Sequence, residues 1–262
     1  MKLINAIGIA FTLLLASQLA TASPQQLMDH LHTMRLASTE AITGFYMYSG
    51  LDANRRYERR IDVSQDRFEQ ALEKATQFAT LSQVNDELEQ ISQDWQRIKK
   101  LMTENRNDMR NQGFPNVRLV DQMGRYNLDM VESIGQTYEK VQTNSGVKPN
   151  PMVDRIRTLA LLMEEMTSQY SARSTSNLGQ VFVGFHNRTL AEMADDFHAQ
   201  LTELQNLIND PKTDNLMNSI NSKWRFLERS VRNYNENTVP FIVISFNDRI
   251  IQDFAELETF FK

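Results

Sequence analysis

His30, His32, His186 and His198 are the only imidazoles in a chain of 262 residues that contains no cysteine. Two of them follow an aspartate by three positions, as Asp29-x-x-His32 and Asp195-x-x-His198. On a helix this spacing puts a carboxylate and an imidazole on one face, as carboxylate-bridged metal bundles do, but such a centre also needs inward glutamates from two further helices. No H-E-x-x-H, C-x-x-C-H or G-x-S-x-G occurs, so zinc-protease, haem-attachment and serine-hydrolase chemistry lack their residues. The absence of cysteine excludes a thiol nucleophile, a disulfide scaffold and every thiolate-ligated metal. With 28 basic against 33 acidic residues the net charge is −5, which argues against the basic face that nucleic-acid binding requires. The chain therefore reads as a non-enzyme, with no catalytic residue, metal or cofactor assigned.

Among the remaining polar residues, Glu40 and Glu165 follow apolar helical positions closely enough to be drawn inward, as part of a pocket, an inter-helix lock or a surface ion pair. Arg55, Arg56, Arg59 and Arg60 lie near Glu58, Asp62 and Asp66 and read as a solvated, ion-paired face, with an acidic-partner dock as the second reading. Phe68, Trp95, Phe197 and Trp224 stand at helical spacing and are expected in the core.

These residues must be carried by helices. Lys2, the apolar run Leu3 to Leu19 and the small residues Ala20-Thr21-Ala22 read as a signal peptide over residues 1–22, with a retained membrane anchor as the alternative. After it, eight stripes of apolar residues recur with the 3.6-residue period and none shows strand alternation. Gly50 suits a left-handed helix end, Gly113-Phe114-Pro115 separates the third and fourth stripes, and Asp210-Pro211 and Val239-Pro240 mark later breaks, with Pro211 placed for a first helical turn. The polar, breaker-rich segment 143–151 reads as a linker. The expectation is an all-α chain with two tandem antiparallel four-helix bundles after a signal peptide: a first bundle over 23–142 and a second over 152–262, each folding separately.

The two halves resemble copies. A shift of 125 residues carries Asp29 onto Asp154, Thr33 onto Thr158, Glu40 onto Glu165 and Pro115 onto Pro240. A shift of 129 carries Phe68, Leu72, Ile91 and Trp95 onto Phe197, Leu201, Ile220 and Trp224, with four residues gained near Ser174 to Gly179 and lost again before Pro240. Under these shifts His32 meets Arg157 and His198 meets Glu69, so the halves offer no symmetric metal set.

Arg35-Leu36-Ala37-Ser38-Thr39-Glu40, then Gly50-Leu51-Asp52, the charged stretch Arg55 to Asp62, Phe68-Glu69-Gln70-Ala71-Leu72 and Trp95 follow one another in an order similar to the sensory domain of PilJ-type chemotaxis transducers and nitrate-sensor kinases. The resemblance covers residues 27–102, and the internal repeat extends it to 151–234. It implies a helical sensory domain in which an arginine of the first helix contacts an anion, a role suited to the planar donor fork of guanidinium. Only Arg35 can inherit that role: His32, Thr33 and Met34 replace the family's Gly, Arg and Gln, and the second half has Ala160 in place of Arg35. Ligand-binding residues implied together by the resemblance and the matched carboxylates are Arg35, Ser38, Glu40 and Glu165. No later segment has 18 consecutive apolar residues, so no membrane span is expected after signal cleavage. The expected product is a periplasmic or secreted sensory or ligand-binding module, taking a small ligand and acting through an envelope or membrane receptor protein. The alternative is a helical interaction or assembly protein of an envelope machine such as a pilus or secretion apparatus.

Overall fold

The computed structural model describes residues 2–80, 82–175, 188–234 and 238–262, with side chains described from Pro24 onward. The expected leader's side chains, Phe185, His186 and most of the length change near Ser174 to Gly179 lie outside the described residues. The described residues form eight helices: α1 (Lys2–Gly50), α2 (Arg55–Thr76), α3 (Asn85–Gln112), α4 (Val117–Ser145), α5 (Pro151–Thr175), α6 (Leu190–Leu207), α7 (Asp214–Arg232) and α8 (Pro240–Glu258). No strand occurs among them.

Local chemistry sets the helix ends. The Asn54 carboxamide oxygen accepts from the Arg56 amide and that of Asn116 from Arg118 and Leu119, satisfying first-turn donors of α2 and α4. Thr189 and Glu192 form a reciprocal capping box on α6. Gly113 and Gly146 close α3 and α4 at φ 83° and 67°, values that only glycine adopts without cost. Pro240 opens α8, whereas Pro211 lies in the turn ahead of α7 and not in its first turn. Gly50 likewise departs from expectation. It is the last residue of α1, and the left-handed positions fall on Asp52 and Ala53. Its smallness serves packing, since a Cβ there would stand 2.1 Å from Cβ of Thr175.

Sequential helices pack antiparallel. Glu40 of α1 meets Ser64 and Arg67 of α2, Glu69 of α2 meets Trp95 and Lys99 of α3, and Glu87 of α3 meets Lys140 of α4. α4 returns alongside α1, where Arg35 lies against Gly135. In the second half Arg155 reaches Glu203, Asp195 reaches Arg232 and Lys223 reaches Asp253, and α8 closes against α5 through Arg157 and Glu258. Each group of four helices is thus an up-down-up-down bundle with its own apolar cluster.

Phe68 and Trp95 stack at 4.0 Å between ring centroids in the first bundle, and Phe197 and Trp224 pack at 4.5 Å in the second; all four are buried. The indole N–H of Trp95 donates to Glu69, which also pairs with Lys99. At the corresponding positions the indole of Trp224 donates to His198, and Glu228 stands 3.6 Å from the same imidazole. A carboxylate and an ammonium in the first half give way to an imidazole and a carboxylate in the second while the geometry is kept, as expected where an indole and two polar side chains must share one inter-helix site.

The bundles are not simply joined end to end. α4 runs through Ser145, so the expected linker shrinks to residues 146–150, and Asn150 anchors it by accepting from Met152 and donating to the Phe261 carbonyl. α1 then packs lengthwise on α5. Asp29 meets Arg157, Thr43 meets Glu164 and Gly50 meets Thr175, so the two helices run in the same direction. Apolar residues cross this seam as well: Leu36 joins the second cluster, and Ala172 and Ile244 join the first. The expectation of two separately folding bundles gains no support from this arrangement, because each bundle completes its core with residues of the other.

Candidate functional site

Many of the buried polar side chains among the described residues belong to α1 and α5. Near the first end of the α1/α5 seam Arg157, almost wholly buried, donates from Nε to Glu258 at 3.0 Å and from Nη1 to the Tyr138 hydroxyl at 3.1 Å. Its Nη2 reaches both Asp29 and Glu258. Lys262 bridges the same two carboxylates at 3.1 and 2.9 Å, and Tyr138 in turn donates to Asp154 at 2.9 Å. Burial alone would pull the Arg157 guanidinium down, but Glu258, Tyr138 and Asp29 outweigh it and push its pKa up. Burial pushes the Tyr138 phenol up to about 12, with Asp154 acting in the same direction against Arg157.

Beside this network lies a cavity of about 270 Å³ with walls from α1, α2, α5 and α8, including Asp29, His32, Arg67, Arg157, Glu258 and Lys262. Burial holds the His32 imidazole well below its ordinary value of 6.5, and Arg157, Arg35, Lys262 and Arg67 press the same way. His32 is therefore a neutral imidazole among fixed charges at physiological pH. Cavity and network together offer guanidinium and ammonium donors beside carboxylate acceptors, a lining that suits a small charged molecule.

Midway along the seam, Glu164 is wholly buried. One carboxylate oxygen accepts from Thr43 of α1 at 3.2 Å, the other from Asn247 of α8 at 2.7 Å. Burial, then the nearby Glu40 charge, raises its pKa to about 7. Glu40 is itself held by Arg67 at 2.6 Å and Ser64 at 3.4 Å, and Arg60 crosses to the second bundle to pair with Asp248 at 2.7 Å.

The four residues singled out for ligand binding all belong to α1 and α5, but the structure does not gather them into one pocket. Arg35 faces α4. Its guanidinium lies 3.5 Å from the position of a Cβ on Gly135, and its Nε is buried without a hydrogen-bond partner among the described residues. Burial lowers its pKa, opposed by Tyr138, Glu139 and Glu165. Ser38 is buried and donates to the Arg35 carbonyl at 3.2 Å within its own helix turn. Glu40 is committed to Arg67 and lines the groove between α2 and α8. Glu165 is half-buried, and the fully buried carboxylate is its neighbour Glu164.

The histidine motifs diverge. Asp29 is taken by Arg157 and Lys262, Asp195 by Arg232, and His30 stacks on Phe78 at 6.2 Å. No cluster of three or more potential metal ligands occurs among the described residues. Nor do the arginines of α2 pair along their own helix. Glu58 and Asp62 turn instead to Arg106 and Arg110 of α3.

Arg157, Glu164, Asn247 and Glu258 carry the seam and were not singled out from sequence. One signal was present: the run Leu159-Ala160-Leu161-Leu162-Met163 is apolar on more than one helical face, as a helix between two bundles must be. No helix among the described residues is long and apolar enough to cross a membrane. No protein-family model, curated protein or solved structure matches the chain.

Proposed function

We infer that the protein is a non-catalytic sensory or ligand-binding module of the PilJ-type kind, periplasmic or secreted, which takes a small charged ligand on the seam between its bundles and acts through a partner. The observation that carries this reading is the cavity beside His32, whose walls come from both bundles and which combines Arg157 and Lys262 with Asp29 and Glu258. A ligand bound there touches α1, α5 and α8 at once, so its binding energy bears on how the bundles sit together. The similarity of residues 27–102 to PilJ-type sensory domains supports the reading from the side of sequence.

A thermal-shift screen of nitrate, nitrite, other small anions and amino acids tests it. A ligand of the cavity raises Tm by mass action, and His32→Trp, which narrows the cavity and takes the imidazole from its lining, weakens the rise. No shift from any of these compounds at millimolar concentration refutes the proposal. Exposed Phe114, Phe226, Phe241 and Phe260 favour a second reading, an assembly protein of an envelope machine. That reading requires crosslinking in the native envelope to recover another protein joined through these aromatic residues.

A further inference from the structure

The geometry points to the trough between α2 and α8 as a docking site for an acidic, amphipathic segment of a partner polypeptide. This inference rests on the reading of the chain as a module that acts through a partner, and it names that partner's chemistry. α2 and α8 run in the same direction on either side of the trough, linked by the Tyr57 and Phe241 rings at 6.0 Å and by Arg60 and Asp248 at 2.7 Å. The space between them is about 590 Å³. Along the α2 wall stand Arg56, Arg59, Arg60, Val63 and Arg67, at helical spacings that place them on one face. The eleven helical steps from Arg56 to Arg67 make this row roughly 16 Å long. The α8 wall is of different character, with Ile244, Ile251 and Ala255 interrupted by Asp248 and Gln252.

The charges do not cancel. Asp248 is committed to Arg60 and Glu40 to Arg67, and the remaining lining cations, Arg56 and Arg59, have no carboxylate partner among the described residues. Glu58 and Asp62 are turned away to α3. The Nε atoms of Arg60 and Arg67 are buried and unpartnered. The fold does not demand these arginines. At the equivalent positions of the second half, Arg60 is replaced by Thr189, which caps α6, and Arg67 by Asp196.

A small anion occupies one or two guanidinium groups, whereas this row is a stripe facing a partly apolar wall, with exposed Val63, Phe241 and Ile242 nearby. About three turns of helix, or roughly five extended residues, match its length. Acidic side chains of such a segment meet α2 while its apolar side chains lie against Ile251, Ala255 and the exposed Val63 and Phe241. This is helix-in-groove recognition with the sign of the partner fixed by charge complementarity.

Fluorescence anisotropy tests the assignment with a labelled amphipathic peptide of glutamate and leucine, about 14 residues long to span the trough. The controls are the same peptide with lysine for glutamate, citrate and inorganic phosphate followed by calorimetry, and vesicles of phosphatidylglycerol and phosphatidylcholine. The acidic peptide should bind saturably and more weakly as salt is raised. The Arg56→Glu/Arg59→Glu variant should bind it roughly tenfold more weakly or worse. Both residues are exposed, so circular dichroism and Tm should show the variant folded. No peptide binding, equal binding by the variant, equal binding of the lysine peptide, binding of citrate or phosphate in place of the peptide, or recruitment to vesicles alone overturns the proposal. The thermal shift of the His32 cavity does not depend on Arg56 or Arg59. A module that still responds to a small ligand but ignores the peptide loses only this docking site.

Discussion

Replacing Glu164 by glutamine should stabilise the protein near pH 8 and leave it almost unchanged near pH 4.5, because the native seam holds this carboxyl protonated over a range in which the unfolded chain does not. Burial raises its pKa from the ordinary 4.5 to about 7. In that window the native state binds more protons than the unfolded state, so stability falls as pH rises. Below the unfolded value the stability is fully present; it is lost as pH passes through about 7. At about 1.4 kcal/mol per pH unit, the gap corresponds to a loss of about 3 kcal/mol. Glutamine keeps the shape and both contacts, since its oxygen can accept from Asn247 and its amide can donate to Thr43. Urea unfolding followed through Trp95 and Trp224, one buried indole in each bundle, measures the difference between wild type and variant across pH. His30 and His32, held below 6.5, give a slope of opposite sign, but both proteins share it and it cancels in the difference. A difference that stays flat from about pH 5 to 8 refutes the assignment of Glu164 as the titrating group.

Four further outcomes are expected. Trp95→Ala and Trp224→Ala should each cost roughly 3–5 kcal/mol in denaturant unfolding, as for any large buried aromatic side chain, and a cost below about 1 kcal/mol would contradict their burial. Gly50→Ala drives a methyl group into Thr175, including its backbone oxygen at 2.8 Å, and should cost about 1–3 kcal/mol while leaving circular dichroism unchanged. Arg157→Met leaves Asp29 and Glu258 with only Lys262 as a cationic partner and takes a donor from Tyr138, and should cost about 3 kcal/mol in denaturant unfolding at neutral pH; a cost below about 1 kcal/mol would contradict its place in the seam. Cleavage engineered between Val147 and Asn150 should leave two fragments that elute together in size exclusion, because the seam and not the linker joins the halves.

The helices were legible because each apolar stripe repeats with the 3.6-residue period and each break has its own chemistry, such as Gly113 and Pro240. The paired Phe68–Trp95 and Phe197–Trp224 contacts were legible for the same reason: local spacing places them on facing stripes. The seam was not. Periodicity reports that a helix has an inner face, but not that α5 has two, and a polar residue such as Glu164 on the second face reads as solvated until a neighbour covers it. Gly50 was misread because close approach and left-handed backbone both select glycine, and only the position of Thr175 separates them. The α2 arginines were read as a locally paired face because nothing in their spacing shows that Glu58 and Asp62 are claimed by α3.

α1 and α5 lie side by side in the same direction, Gly50 beside Thr175, with the offset that relates the two halves of the chain. Had two identical polypeptides met along this line, every bond across it would occur twice, since a twofold contact repeats each pairing in mirror order. Carrying both helices on one chain removes that obligation. Asp29 bonds Arg157, yet the position matching Arg157 carries His32, and Asp154 turns to Tyr138 instead. One flank of the seam can change while the other keeps the bundles closed, an independence that a symmetric pair encoded by a single shorter sequence cannot reach by point substitution.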